Sequence, residues 1–138
     1  MEEKTLRHSF ELLENDAACL DARGLSWETI IDANVKWILI KRFPIPTGYN
    51  ITEAEIALML PDSYPTTQID MVYVTPSLAL ASGASIAQLS IETHDGRSFQ
   101  RWSRHRTPTN PWRPDIDDLA SHLSLVEESF LKETKKNG

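Results

Sequence analysis

The sequence predicts an α+β domain in which helices are segregated from a four-stranded antiparallel meander. Three observations lead there: helical spacing of apolar residues near both ends, strand-like patterning across residues 26–74, and a length of 138 residues, within the roughly 100 to 150 of a single domain. A second core has no room. The domain is expected over residues 7–134, with polar ends at 1–6 and 135–138 that fray.

The first element spans about Phe10 to Arg23, where Leu12, Leu13, Ala17 and Leu20 recur at helical spacing and Gly24 follows as a C-cap candidate. Next come SWETIID, from Ser26 to Asp32, and VKWILIKRF, from Val35 to Phe43, rich in β-branched and aromatic residues and meeting at Ala33-Asn34. This reads as a hairpin. Pro44, Pro46 and Gly48 break the chain before NITEAEIALML, which ends in strict apolar alternation, and IDMVYV, from Ile69 to Val74, gives a fourth strand. From Thr75-Pro76 the pattern dissolves for about forty residues, an extended crossover of a length that is often functional. Order returns in the last helix, opened by Pro114 and Asp115. There Ile116, Leu119, Ala120, Leu123, Val126, Phe130 and Leu131 form an apolar stripe, three aspartates occupy the first turn, and lysines end it.

Hydrophobic content of 41% and charged content of 25% exclude collagen-like, low-complexity and wholly disordered chains. One cysteine, Cys19, excludes an intramolecular disulfide and a multi-cysteine zinc site, so a reducing cytoplasm is the expected compartment. No apolar run approaches the roughly 18 residues of a membrane span, and the acidic start does not read as a signal peptide. A soluble protein without membrane contact is expected. The net charge of −6 hides an asymmetry. Between Arg97 and Arg113 lie five arginines, His105 and no acid, which leaves 9 basic and 20 acidic residues elsewhere, a net of −11. One segment is cationic on an anionic body.

Cys19 has acid and hydrocarbon neighbours, which do not favour a thiolate, and reads as structural. His8, His94, His105 and His122 are too far apart for a short metal motif, and no P-loop, dinucleotide fingerprint or GxSxG is present. No metal or cofactor is expected. The segment GRSFQRWSRHRTPTNPWRP, Gly96 to Pro114, mixes guanidinium groups with Phe99, Trp102 and Trp112. Such a mixture stacks on bases and pairs with phosphates, or forms a hot-spot surface for an acidic protein. Equally, its aromatics would pin the loop while its arginines pair with the domain's own carboxylates.

Tyr64-Pro65 after the third strand, the long crossover, and Asn110-Pro111-Trp112-Arg113-Pro114 before the last helix resemble landmarks of the ubiquitin-conjugating (UBC) fold. More specifically, GYNITEAEIALMLPDSYP, FQRWSRH and NPWRPDIDDLASHL look like the prokaryotic ubiquitin-conjugating-like family E, from about Cys19 to Phe130. The resemblance implies a UBC-like fold with an active-site-type crossover loop and Tyr64, Pro65, Trp112 and Pro114 as structural landmarks. It also implies a role beside a ubiquitin-like modifier and an activating enzyme in a bacterial conjugation pathway, often linked to antiphage defence, with an unknown target. Conventional members carry a reactive cysteine after His-Pro-Asn at the place where this chain has Trp102-Ser103-Arg104-His105.

The first reading is a transferase that accepts the modifier on Ser103 as an oxyester, with His105 or His94 as base. Arg97, Arg101, Trp102, Arg104 and Arg106 would bind the partner. The alternative is an inactive UBC-fold adaptor that docks modifier or activating enzyme through its arginine-rich loop. Nucleic-acid binding through the same loop is weaker still, because the anionic remainder repels phosphate.

Overall fold

Residues 6–137 are described by a computed structural model. Helix α1 spans Glu14–Ala22, shorter than its apolar spacing suggests. It ends on Gly24, φ +71°, where Gly24 N–H donates to Asp21 C=O and Leu25 N–H to Leu20 C=O at 3.0 and 3.1 Å. These two bonds satisfy carbonyls that a helix end leaves unpaired. Strands β1 (Trp27–Asp32) and β2 (Val35–Pro44) follow. They are joined through Ala33 and Asn34, both at positive φ, the backbone that a two-residue hairpin turn requires. β3 is Glu53–Leu60 and β4 is Val72–Thr75, shorter than the stretch from Ile69 expected of it.

The sheet is larger than the expected four-stranded meander. The stretch expected to be irregular holds another hairpin, β5 (Leu89–His94) and β6 (Arg97–Trp102), turning at Asp95-Gly96. The sheet has six strands in the order β1-β2-β3-β4-β6-β5, every neighbouring pair antiparallel. β6 lies inside the sheet and buries side chains on both faces. Phe99 points to one face and Gln100 and Trp102 to the other, so the alternation that advertises a half-exposed strand is missing.

Helix α2 spans Leu119–Asn137. It starts later than the sequence suggests because Asp118 caps it: Ser121 N–H donates to Asp118 Oδ1 at 3.2 Å, and Asp118 N–H donates to Ser121 Oγ at 3.0 Å. The three aspartates therefore precede the helix. Leu119, Leu123, Val126 and Phe130 are buried, whereas Ile116 and Leu131 are 58% and 43% exposed and leave the predicted stripe. Helix α2 runs on through residues 135–137; residues 1–5 and 138 lie outside the described residues. No described helix is long and apolar enough to cross a membrane.

Two apolar clusters flank the sheet. The larger joins the helices to Ile38, Ile40, Ile56, Val74 and Trp102. The smaller gathers Ile30, Trp37, Leu39, Ala57, Tyr73 and Phe99 on the opposite face. The sheet curls over this second cluster until the β5–β6 turn reaches β1, where Asp95 N–H donates to Asp32 Oδ2 at 2.9 Å. A closed ring of ion pairs fixes the curl: Arg7–Glu28, Glu28–Lys41, Lys41–Glu55, Glu55–Arg97, Arg97–Asp95 and Asp95–Arg7, all between 2.6 and 3.5 Å. Glu28 is 2% exposed, and hydrogen bonds from Arg7 hold its carboxyl well below the usual range despite burial.

Candidate functional site

Strand β6 runs out at Trp102, and Ser103 is the next residue. Its N–H donates to Gln88 C=O at 3.1 Å, extending the ladder to β5 by one step. Ser103 is half-buried, and its Oγ makes no hydrogen bond among the described residues. Trp102 cannot meet a partner, because it is fully buried. Its Nε1–H donates to Gln100 Oε1 at 2.9 Å and its ring stands edge-on to Phe130, centroids 4.9 Å apart.

The arginines do not form one patch. Arg97 and Arg101 alternate with the helix-side Gln100 and Trp102, so they project from the opposite face. Arg97 binds both oxygens of Glu55 at 3.0 and 2.6 Å, and Arg101 donates to Glu92 at 3.0 Å. Arg104 lies on the helix side with its guanidinium 4.8 Å from the Trp102 ring and 3.6 Å from Glu133 of α2. It also donates to the carbonyls of Ser103 and Ala87 at 3.1 and 3.2 Å. Arg106 stacks over Trp112 at 5.3 Å and faces Asp117 at 3.5 Å. Burial alone would raise the Asp117 carboxyl, but Arg113 N–H, the Ser121 hydroxyl and the Arg106 and Arg113 charges hold it below the usual range.

The histidines part ways. His94 sits beside the turn of the β5–β6 hairpin, paired with Arg97, whereas Ser103 follows its far end, where Leu89 pairs with Trp102. Five residue steps at about 3.3 Å separate those ends by roughly 16 Å, so His94 is not brought to Ser103. Its ring packs 4.3 Å from Trp37 and bonds Glu92 at 3.1 Å. His105 lies two residues beyond Ser103, and its Nδ1 lies 3.0 Å from both oxygens of Asp70. No hydrogen bond joins it to Ser103 Oγ among the described residues. His122 is 2% exposed and donates from Nε2 to Met71 C=O at 2.9 Å; burial lowers its basicity.

Between loop residues 104–110 and α2 lies a groove of about 330 Å³, lined by Arg104, His105, Thr109, Asn110, Ser129 and Lys132 among others, but not by Ser103. The landmark residues do not line this groove; they pack together elsewhere along the same loop. Trp112 Nε1–H donates to Pro65 C=O at 2.9 Å, its ring is 6.3 Å from Tyr64, and Tyr64 donates to Asp16 of α1 at 2.6 Å. Pro114 lies beside both Pro65 and Trp112. Sequence reasoning missed Asp70, Asp117 and Glu133, the carboxylates that fix His105, Arg106 and Arg104. Glu133 did carry a signal, since it falls one turn beyond Phe130 on the buried face of α2. Asp70 carried none. Cys19 lies half-buried on α1, packed against the helix-side core.

An antiparallel sheet with both helices on one side, a Tyr-Pro loop docked on a Trp-x-Pro loop, and a groove beside the chain leaving β6 accord with a ubiquitin-conjugating-like, E2-type domain, the class to which the family match assigns the chain. The chain belongs to prokaryotic E2 family E, whose family model matches residues 12–133. No curated protein and no solved structure matches it. Membership gives a ubiquitin-conjugating-like role in a prokaryotic pathway, in which proteins of this type work with a ubiquitin-like modifier and its activating enzyme.

Proposed function

We propose that the domain is a binding platform that holds the C-terminal tail of a ubiquitin-like modifier in the groove between residues 104–110 and α2, without a covalent intermediate. The observation that carries this reading is that the groove sets the donors Arg104, Lys132, Thr107, Thr109 and Ser129 beside the carboxylates of Glu128 and Glu133, a mixed set of donors and acceptors suited to a peptide main chain, while the one hydroxyl at the expected acceptor position lies outside its lining and makes no hydrogen bond to a base among the described residues. A serine hydroxyl is a weak nucleophile unless a positioned base takes its proton. Amide and carboxylate groups of an extended tail suit the donors of this groove. Arg104 is held ready by Trp102 and Glu133, so little ordering accompanies binding.

One observation favours the oxyester reading. Asp70 holds His105 through Nδ1, which leaves Nε2 as a free proton acceptor in the arrangement of a serine-histidine-aspartate site. In that reaction Ser103 Oγ bonds to the modifier's terminal carbonyl as the bond from that carbonyl to its carrier breaks, and the hydroxyl proton passes to His105 Nε2.

Incubation with the cognate activating enzyme, modifier and ATP separates the two. The platform gives reversible binding with no adduct, weakened at least tenfold by Arg104→Glu and unchanged by Ser103→Ala. A hydroxylamine-sensitive adduct that disappears in Ser103→Ala and persists in Cys19→Ala would overturn the platform and establish the oxyester.

A further inference from the structure

The two edges of the sheet are treated differently. β1 is covered: Ser9 N–H donates to Thr29 C=O at 2.8 Å and Thr29 N–H to Arg7 C=O at 3.0 Å. β5 is open. Its two-residue turn at Asp95-Gly96, with φ of 53° and 70°, makes His94 and Arg97 a hydrogen-bonded pair, so the bonds to β6 fall at His94, Glu92 and Ser90. The bond from Ser103 N–H to Gln88 C=O continues that even-numbered series. The N–H and C=O groups of Leu89, Ile91 and Thr93 therefore point away from the sheet, and nothing among the described residues pairs with them. Proteins usually guard such an edge with lysine, proline or a bulge. β5 has none of these, and Ile91 is 61% exposed at its centre.

We propose that β5 pairs with β5 of a second copy of this chain, antiparallel and centred on Ile91. Register is what commits the edge to this occupant. With the two-fold axis at Ile91, Leu89 faces the copy's Thr93, Ile91 faces the copy's Ile91, and each pair exchanges both main-chain bonds, so every outward group is satisfied. The exposed isoleucines cover one another, and Glu92 lies opposite the copy's Ser90, a hydroxyl donor. Sliding by one pairing step in one direction puts Glu92 against Glu92. Sliding in the other leaves Thr93 facing Ala87, whose carbonyl already accepts from Arg104. The titratable groups next to the seam, Glu92, His94 and Arg101, already pair among themselves. Each copy carries a net charge of −6, so salt that screens long-range repulsion should strengthen the pairing. This proposal does not rest on the platform reading.

Sedimentation equilibrium of the full chain in moderate salt, from micromolar to millimolar protein, tests it together with amide hydrogen exchange. The mass is expected to climb from 15.7 kDa toward twice that value, while exchange at Leu89, Ile91 and Thr93 slows as concentration rises. Ile91→Lys sets like charges opposite one another at the two-fold axis and should weaken association at least tenfold with the fold intact. Ile91→Pro removes one outward N–H, leaves the β6 ladder its donors, and should do the same. A chain that stays monomeric at every concentration, a dimer unchanged in Ile91→Lys, or a dimer whose β5 amides gain no protection overturns the proposal. Protection that appears only when a different protein is added overturns it as well.

Discussion

Tyr64→Phe isolates one hydrogen bond at the junction of α1, the Tyr-Pro loop and α2. The hydroxyl donates to Asp16 at 2.6 Å, and Asp16 is 1% exposed. Burial raises the Asp16 carboxyl above its ordinary value, with the Tyr64 hydroxyl and Leu119 N–H opposing that rise. A group whose folded pKa is raised stabilises fully below its unfolded value of about 3.9, and that contribution is lost as pH climbs through the folded value. Removing the hydroxyl pushes the folded value higher still, so the penalty must grow with pH. At about pH 3, below the unfolded value, the folded carboxyl is mostly neutral and the lost bond should cost about 1 kcal/mol; once the pH has passed the folded value and the carboxylate is charged, the cost should rise to about 2 to 3 kcal/mol. For a domain of this size the larger cost corresponds to a fall in Tm of roughly 6 to 10 °C. The ring remains in Phe, so packing on Trp112 is kept. Thermal and urea unfolding on both sides of the folded value, repeated in an Asp16→Asn background, provide the measurement. A penalty equal on the two sides, or a pH slope that survives in Asp16→Asn, would refute the reasoning.

Three further outcomes follow from the same geometry. Glu28→Gln breaks the ion ring and should cost about 2 kcal/mol at pH 7 by urea denaturation, below the 3 to 5 of a fully buried pair because Arg7 is 43% exposed. As the Glu28 carboxyl is held low, its contribution is present above about pH 4.3 and fades as pH falls, so the stability curves of variant and parent should converge in acid. Phe130→Ala opens a cavity beneath Trp102 and Tyr49 and should cost about 3 to 5 kcal/mol, read by urea unfolding with circular dichroism. Ser103→Ala removes a hydroxyl with no hydrogen bond in the fold and should stay within about 0.5 kcal/mol of the parent, which makes its assay with modifier and activating enzyme readable as function.

Chain-local information determined α1's existence, the β1–β2 hairpin, β3 and the buried stripe of α2, because helix and strand periods write burial directly into residue spacing. Ala33-Asn34 was readable as a turn for the same reason. So were the Tyr-Pro and Trp-x-Pro landmarks, whose residue types and order survive without coordinates. The β5–β6 hairpin was not legible: β5 is an exposed edge with polar residues, and β6 is buried on both faces, so neither shows clean alternation. Nor could the run from Arg97 to Arg113 disclose that it is divided between two faces of a sheet. Along a strand, neighbours in sequence point in opposite directions, and the carboxylates that bind these arginines come from distant positions, Glu55 for Arg97 and Glu133 for Arg104. What looks like a single cationic segment in one dimension is dispersed and largely neutralised in three, and only tertiary packing chose which of its groups face the groove.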